Sequence, residues 1–160
     1  MMPDIAMVRV DERLVHGQIL VKWIKEKNAS KVIVVDNELR EDPVMGNFLK
    51  MTLPQDVKLE ICDAEEALNL LNTSEQNDKD KVIILVKNLQ FVKFMHEHGA
   101  QIDSINIGRL PSKPGKRKVH QNVFVSEEDI KIINYFREKD VPIIIQMVPD
   151  SLPISIFDLI

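Results

Sequence analysis

Runs rich in valine and isoleucine recur along this chain at intervals that leave room for one helix between each pair. They fall at 5–10, 31–35, 57–62, 82–86, 104–107, 122–125 and 141–148. Continuous apolar runs of this kind suit strands buried on both faces of a parallel sheet. The stretches between them carry helix signals. Asp42-Pro43 reads as an N-cap followed by proline at the first helical position. Asp63 with Glu66 resembles a capping box ahead of Ala67, Leu68 and Leu71. Asn88 heads a helix that runs to His98 and that Gly99 ends. Ser126 with Asp129 opens another, with Ile130, Ile133 and Phe136 facing inward. This alternation predicts one α/β domain over residues 1–160, an open, mainly parallel sheet of about seven strands with helices on both faces. A length of 160 residues suits a single core. There is no internal repeat, and the polar stretch 74–80 is too short to divide domains.

Composition removes several function classes. A net charge of −4 argues against general nucleic-acid binding. No apolar run approaches the roughly 20 residues that a membrane span needs. Met1-Met2-Pro3-Asp4 has no basic region before an apolar core, so no secretion signal is expected. The single cysteine permits no internal disulfide, and a cytoplasmic location is expected. No zinc spacing, P-loop or nucleotide fingerprint occurs, so neither a metal nor a cofactor is expected, and ATP is not an expected ligand.

In an open α/β sheet the loops after the strands' carboxyl ends gather on one edge, where such folds bind ligands. His16 falls in the first of these loops, Asp36-Asn37 in the second, and Gly108 begins the fifth. The first loop is the most suggestive. His16 lies between an apolar strand and a helix whose apolar face holds Ile19, Leu20, Trp23 and Ile24. Free N–H groups and the helix dipole favour an anion there. Arg13 can pair with phosphate through a bidentate fork, and Asp11 can hold the imidazole in one tautomer. A nucleophile beside an anion cradle suggests a histidine that accepts a phosphoryl group. The plainer alternative stays open at this point: His16 as a cap or surface residue, with Arg9 and Arg13 as ordinary surface charges.

The string Arg9-Val10-Asp11-Glu12-Arg13-Leu14-Val15-His16-Gly17-Gln18 resembles the signature Arg-(Ile/Val)-Asp-(Asp/Glu)-Arg-Leu-(Ile/Val)-His-Gly-Gln. That signature belongs to the IIB components of mannose/fructose/sorbose-type sugar phosphotransferase systems, and every position agrees. The likeness covers essentially the whole chain. Residues 31–36 look like the family's second strand and acidic loop, and Ile105-Asn106-Ile107-Gly108 looks like its Asn-(Ile/Val)-Gly segment. Residues 123–129 resemble its Val-Ser-x-x-Asp segment, and Asp158-Leu159-Ile160 resembles a frequent ending. One departure is Arg109, where many relatives carry a second glycine.

The resemblance implies a cytoplasmic phosphocarrier, peripherally associated with a membrane permease. A phosphorylated IIA protein or domain would donate to His16. His16 would pass the group to a sugar held by the membrane IIC and IID components. His16 is then the nucleophile, Arg13 the main phosphate-neutralising side chain, and Asp11 the residue that orients the loop or the imidazole. Arg9 assists more weakly, and the Gly17 and Gln18 amides complete the cradle. Self-association is left open. Two other classes compete. A histidine phosphatase would show Arg-His-Gly, but Val15 precedes His16. A non-catalytic α/β module that binds a small anion or a regulatory protein also remains.

Three further features have two readings each. The stretch from Asn106 to Lys118 holds five cations, Arg109, Lys113, Lys116, Arg117 and Lys118. It is either a basic rim for a phosphorylated partner or a solvated loop. Cys62 ends a strand and lacks a neighbouring cation, so a buried core role is expected over a phosphocysteine. His96, His98 and His120 are expected to be structural or surface residues.

Overall fold

The computed structural model describes residues 4–72 and 79–160. Most of the polar stretch 74–80, and Met1, Met2 and Pro3, lie outside the described residues. The strands are β1 (Asp4–Asp11), β2 (Lys31–Val35), β3 (Lys58–Cys62), β4 (Lys81–Val86), β5 (Ile105–Arg109), β6 (Arg117–His120), β7 (Val123–Val125), β8 (Ile143–Ile145) and β9 (Ile154–Ser155). The helices are α1 (Gly17–Lys27), α2 (Asn37–Arg40), α3 (Pro43–Thr52), α4 (Ala64–Asn72), α5 (Leu89–Glu97) and α6 (Glu127–Glu138), followed by a 3₁₀ turn over Ile156–Asp158.

The main sheet has seven strands in the order β3-β2-β4-β1-β5-β8-β9. Every pairing is parallel except β8 with β9. The expected architecture is therefore present. The central strands are buried on both faces, which is why they read as unbroken apolar runs. On one face α1 places Leu20, Trp23 and Ile24 against Met7, Val32, Val34, Ile83 and Leu85. On the other, α4, α5 and α6 place Leu71, Val92, Met95, Ile133 and Phe136 against Val10, Ile33, Ile84 and Ile107.

The expected helix starts form as read. Asp42 accepts from Met45 N–H with Pro43 at the first turn. The Glu66 N–H donates to Asp63 Oδ1 at 2.8 Å and the Asp63 N–H to Glu66 Oε1 at 3.0 Å. Asn88 caps α5, and Ser126 with Asp129 closes a full capping box on α6.

Two strand expectations are corrected. Residues 122–125 do not join the parallel sheet. The strand there, β7, pairs antiparallel with β6 as a separate two-stranded ribbon, touching β5's end only through a bridge between Val123 and Leu110. Asn122, with φ of 64°, makes the tight reversal that directs the chain back along β6 instead of across to β8. The seventh strand of the main sheet is β9 at its antiparallel edge. The run 141–148 also contributes only Ile143–Ile145. After Ile145 the chain leaves the sheet as a self-braced loop, with Gln146 Nε2 donating to the Pro149 and Ser151 carbonyls at 3.2 and 3.0 Å.

The carboxyl ends of β1, β2, β3, β4, β5 and β8 share one edge. The chain leaves β1 toward α1 on one face and leaves β4 toward α5 on the other. Two neighbouring strands thus send their loops apart, which opens a crevice at the centre of that edge.

Candidate functional site

The loop from β1 to α1 is held in place by its backbone and by two buried side chains. The Glu12 N–H donates to the Arg109 carbonyl at 3.3 Å, and the Leu14 N–H to the Asp11 carbonyl at 2.9 Å. Leu14 has φ of 56°, a left-handed conformation that costs a non-glycine residue of order 1–3 kcal/mol. Burial of Leu14 and Val15 beneath the loop offsets that strain. The turn lifts His16 out of the core, so His16, Gly17 and Gln18 are exposed.

His16 is the N-cap of α1, and its side chain makes no capping bond. Its carbonyl accepts the first intrahelical bonds, from Ile19 at 3.1 Å and Leu20 at 3.4 Å. The Gly17 and Gln18 N–H groups precede that pattern on exposed residues, as the free donors of a helix start do.

At the carboxyl end of β1 sits a buried charge cluster. Asp11 accepts from Arg13 Nε at 2.9 Å, from Arg13 Nη2 at 2.7 Å and from the Arg13 backbone N–H at 3.1 Å. It also accepts from Arg9 Nη2 at 3.3 Å. Arg9 is wholly buried. Its other bonds run to Asn106 Oδ1 and to the carbonyls of Gln146 and Met147, at 3.0 and 3.1 Å for the carbonyls. Its guanidinium lies over the Trp23 ring, 5.6 Å from the centroid, and Trp23 Nε1 donates to the same Met147 carbonyl at 3.0 Å. Burial lowers the Arg9 pKa to about 10, against the attraction of Asp11. The Asp11 hydrogen bond raises that of Arg13. Both arginines are charged at neutral pH. Two cations against one carboxylate leave one positive charge, and Arg13, the partly exposed member, carries it to the surface.

The sheet makes room for this cluster by omitting a side chain. A Cβ at Gly108 would stand 2.5 Å from both Arg9 Cζ and Asp11 Oδ2, and closer still to Arg9 Nη2.

The residues singled out from the sequence thus fall into two layers. His16, Gly17 and Gln18 are exposed, and Arg13 is partly exposed. Asp11 and Arg9 lie below them. The Asp11 acceptors point at the two arginines and the loop backbone, not at the imidazole, and Arg9 turns its donors to protein carbonyls. Asn106, Gln146, Met147 and the Trp23 indole belong to the same cluster and were missed as site residues. An asparagine inside an apolar strand is a signal that could have found Asn106. The Gln146 and Met147 contributions are backbone carbonyls, which leave no mark in sequence.

The other candidates resolve as follows. Cys62 is buried, and burial first of all pushes its thiol up to about 12. His96 Nδ1 pairs with the Tyr135 hydroxyl at 2.8 Å, and His98 Nδ1 with the Phe94 carbonyl at 2.8 Å. His120 Nδ1 is buried, with no hydrogen-bond partner among the described residues. No group of three or more His, Cys, Asp or Glu side chains among them is placed to hold a metal ion.

The basic stretch is only partly a loop, because Arg117 and Lys118 lie on β6. It borders a cleft of about 370 Å3 lined by Glu12, Lys87, Gln90, Lys113, Lys116 and Asp129, among others. Two of its cations are paired, Lys116 with Asp129 at 3.5 Å and Arg109 with Glu12 at 2.9 Å. No helix among the described residues is long and apolar enough to cross a membrane.

Residues 5–160 match the model of the "PTS system sorbose subfamily IIB component" family. The chain is 28% identical over 159 residues to the N-acetylgalactosamine-specific phosphotransferase enzyme IIB component 2 of Escherichia coli K12, covering 99% of this chain and 100% of that protein. It is 30% identical over 156 residues to the mannose-specific EIIAB component of the same strain. That match covers 98% of this chain but only 48% of the relative, so the chain spans about half the length of the mannose-specific relatives it matches. Among solved structures, the IIB domain of the sorbose permease of Klebsiella pneumoniae superposes with a TM-score of 0.89 at 27% identity, covering 97% of this chain and 94% of that one. An N-acetylgalactosamine IIB component of Streptococcus pyogenes reaches 0.90 at 27% identity, covering 100% and 99%. The chain belongs to the sorbose-type IIB family of phosphotransferase system components.

Proposed function

We propose that this chain is a cytoplasmic phosphocarrier that takes a phosphoryl group onto His16 from a phosphorylated IIA partner. It hands the group to a sugar held by membrane IIC and IID components, beside which it docks peripherally. The single observation that supports this reading is an exposed histidine at a helix N-cap, three residues after an arginine clamped by a buried carboxylate. In the accepting step a ring nitrogen of His16 attacks phosphorus. The P–N bond to the donor histidine breaks as the new P–N bond forms. Such transfer depends mainly on alignment and on neutralising the equatorial oxygens. Arg13 supplies the neutralising charge, the Gly17 and Gln18 N–H groups hold an oxygen, and Asp11 fixes Arg13. Arg9, buried beneath, is a positioning residue for Asp11.

The name EIIAB joins an A and a B component in one relative, which supports a IIA donor. The sugars named for relatives vary among mannose, N-acetylgalactosamine, sorbose and fructose. That variety fits a carrier whose sugar pocket lies in the membrane partners. Incubation with the general phosphotransferase proteins, a matching IIA and phosphoenolpyruvate should give an acid-labile, alkali-stable adduct. His16→Ala should abolish it, and Cys62→Ser should retain it. Label persisting in His16→Ala rejects the reading and leaves a non-catalytic anion-binding module in its place.

A further inference from the structure

Arg109 ends β5 beside the start of the histidine loop, in register with Asp11 on β1. It grips one residue twice. Its carbonyl accepts from the Glu12 N–H at 3.3 Å, and its Nε donates to Glu12 Oε1 at 2.9 Å. Glu12 is awkwardly placed for phosphoryl acceptance. It immediately precedes Arg13, and its charge is felt at that guanidinium. Asp11 is buried and locked, whereas the Glu12 side chain is 29% exposed and long enough to swing. A free carboxylate there competes for Arg13 and repels an incoming dianion. The charge count makes the same point. Arg9, Arg13 and Arg109 against Asp11 and Glu12 leave one positive charge, and without Arg109 the cluster is neutral.

We propose that Arg109 is a positioning residue that tethers and neutralises Glu12 in the cleft beside α5, keeping Arg13 open to the phosphoryl group on His16. This rests on His16 being the acceptor, and the test separates the two. Potassium phosphoramidate serves as a small phosphoryl donor, with phosphohistidine followed by ³¹P NMR. The imidazole nitrogen attacks phosphorus, the donor's P–N bond breaks, ammonia leaves, and the displaced ring proton passes to solvent.

Arg109→Ala should be phosphorylated about three- to tenfold more slowly than wild type, tenfold being about 1.4 kcal/mol. Adding Glu12→Gln should restore the rate to within about twofold, and Arg109→Lys should lose less than Arg109→Ala. Salt should narrow the deficit of Arg109→Ala, because it screens an exposed carboxylate. A role only in folding predicts neither rescue nor salt dependence. If Arg109→Ala does not fold, Arg109→Gln with the same rescue replaces it. A wild-type rate without Arg109, or a deficit that Glu12→Gln leaves in place, overturns the proposal. Unchanged labelling of His16→Ala instead overturns the acceptor reading itself.

Discussion

Gly108 and Arg9 are packed so closely that no side chain fits between the β5 backbone and the buried guanidinium. The glycine is a condition for the charge cluster, not for a turn. Gly108→Ala should push Arg9 off Asp11 and Asn106. Breaking a buried, hydrogen-bonded pair costs about 3–5 kcal/mol when one partner is lost. Partial displacement is expected to cost about 2–3 kcal/mol in urea unfolding, together with at least a tenfold loss in His16 phosphorylation. A variant as stable as wild type means the cluster relaxes around the methyl group.

Arg13 is expected to separate transfer from stability only in part. A surface arginine changes stability by about 0.5 kcal/mol or less, but Arg13 makes a two-point bond to buried Asp11. Arg13→Ala should cost about 1–2 kcal/mol and slow transfer at least tenfold. Arg13→Lys keeps the charge but loses the fork. It should recover stability more than rate. The two variants compared by thermal unfolding and single-turnover labelling test this ordering, and equal rates for Arg13→Lys and wild type remove the fork from the mechanism.

Cys62 predicts a pH dependence. Its thiol ionises near 12 when folded against an ordinary value of 9.0. As pH rises past about 9 the unfolded chain loses this proton first, so unfolding is favoured increasingly between about 9 and 12 and is unaffected below about 8. The slope from one such group is at most about 1.4 kcal/mol per pH unit. Urea titrations at pH 8, 9.5 and 11 should show wild type losing stability more steeply than Cys62→Ala. Parallel curves would mean that the thiol is not shielded.

Lys113, Arg117 and Lys118 are exposed, whereas Lys116 is tied to Asp129. Replacing the three exposed cations with alanine should slow association with a phosphorylated IIA protein about three- to tenfold at low salt and flatten its salt dependence. Single-turnover transfer at saturating donor should stay unchanged. Stopped-flow measurement of both steps decides it, and an unchanged association rate assigns these residues to solvation alone.

Much of the fold was legible because buried parallel strands and capped helices each depend on short, local patterns. Residues 31–35 and 82–86 have few alternatives once both faces are apolar, and Asp63, Asn88 and Ser126 announce their helices. The failures were non-local. Residues 122–125 have the same Val-rich composition as a sheet strand, and only the reversal at Asn122 directs them to β6. The exposed part of the candidate site, Arg13, His16 and Gly17, lies in one segment that the sequence shows directly. Its foundation was not legible, because Arg9 meets the Asn106 side chain 97 residues away and, 137 and 138 residues away, two backbone carbonyls that any residue can supply.

That separation ties competence to complete synthesis. The Arg9 side chain spans β1, β5 and the loop after β8, so a chain that has emerged only as far as α6 lacks two of its acceptors. Arg13 then rests on a carboxylate whose own anchor is loose. The arrangement beneath the His16 loop, encoded within the first eighteen residues, is complete only when the last quarter of the polypeptide has packed against Arg9.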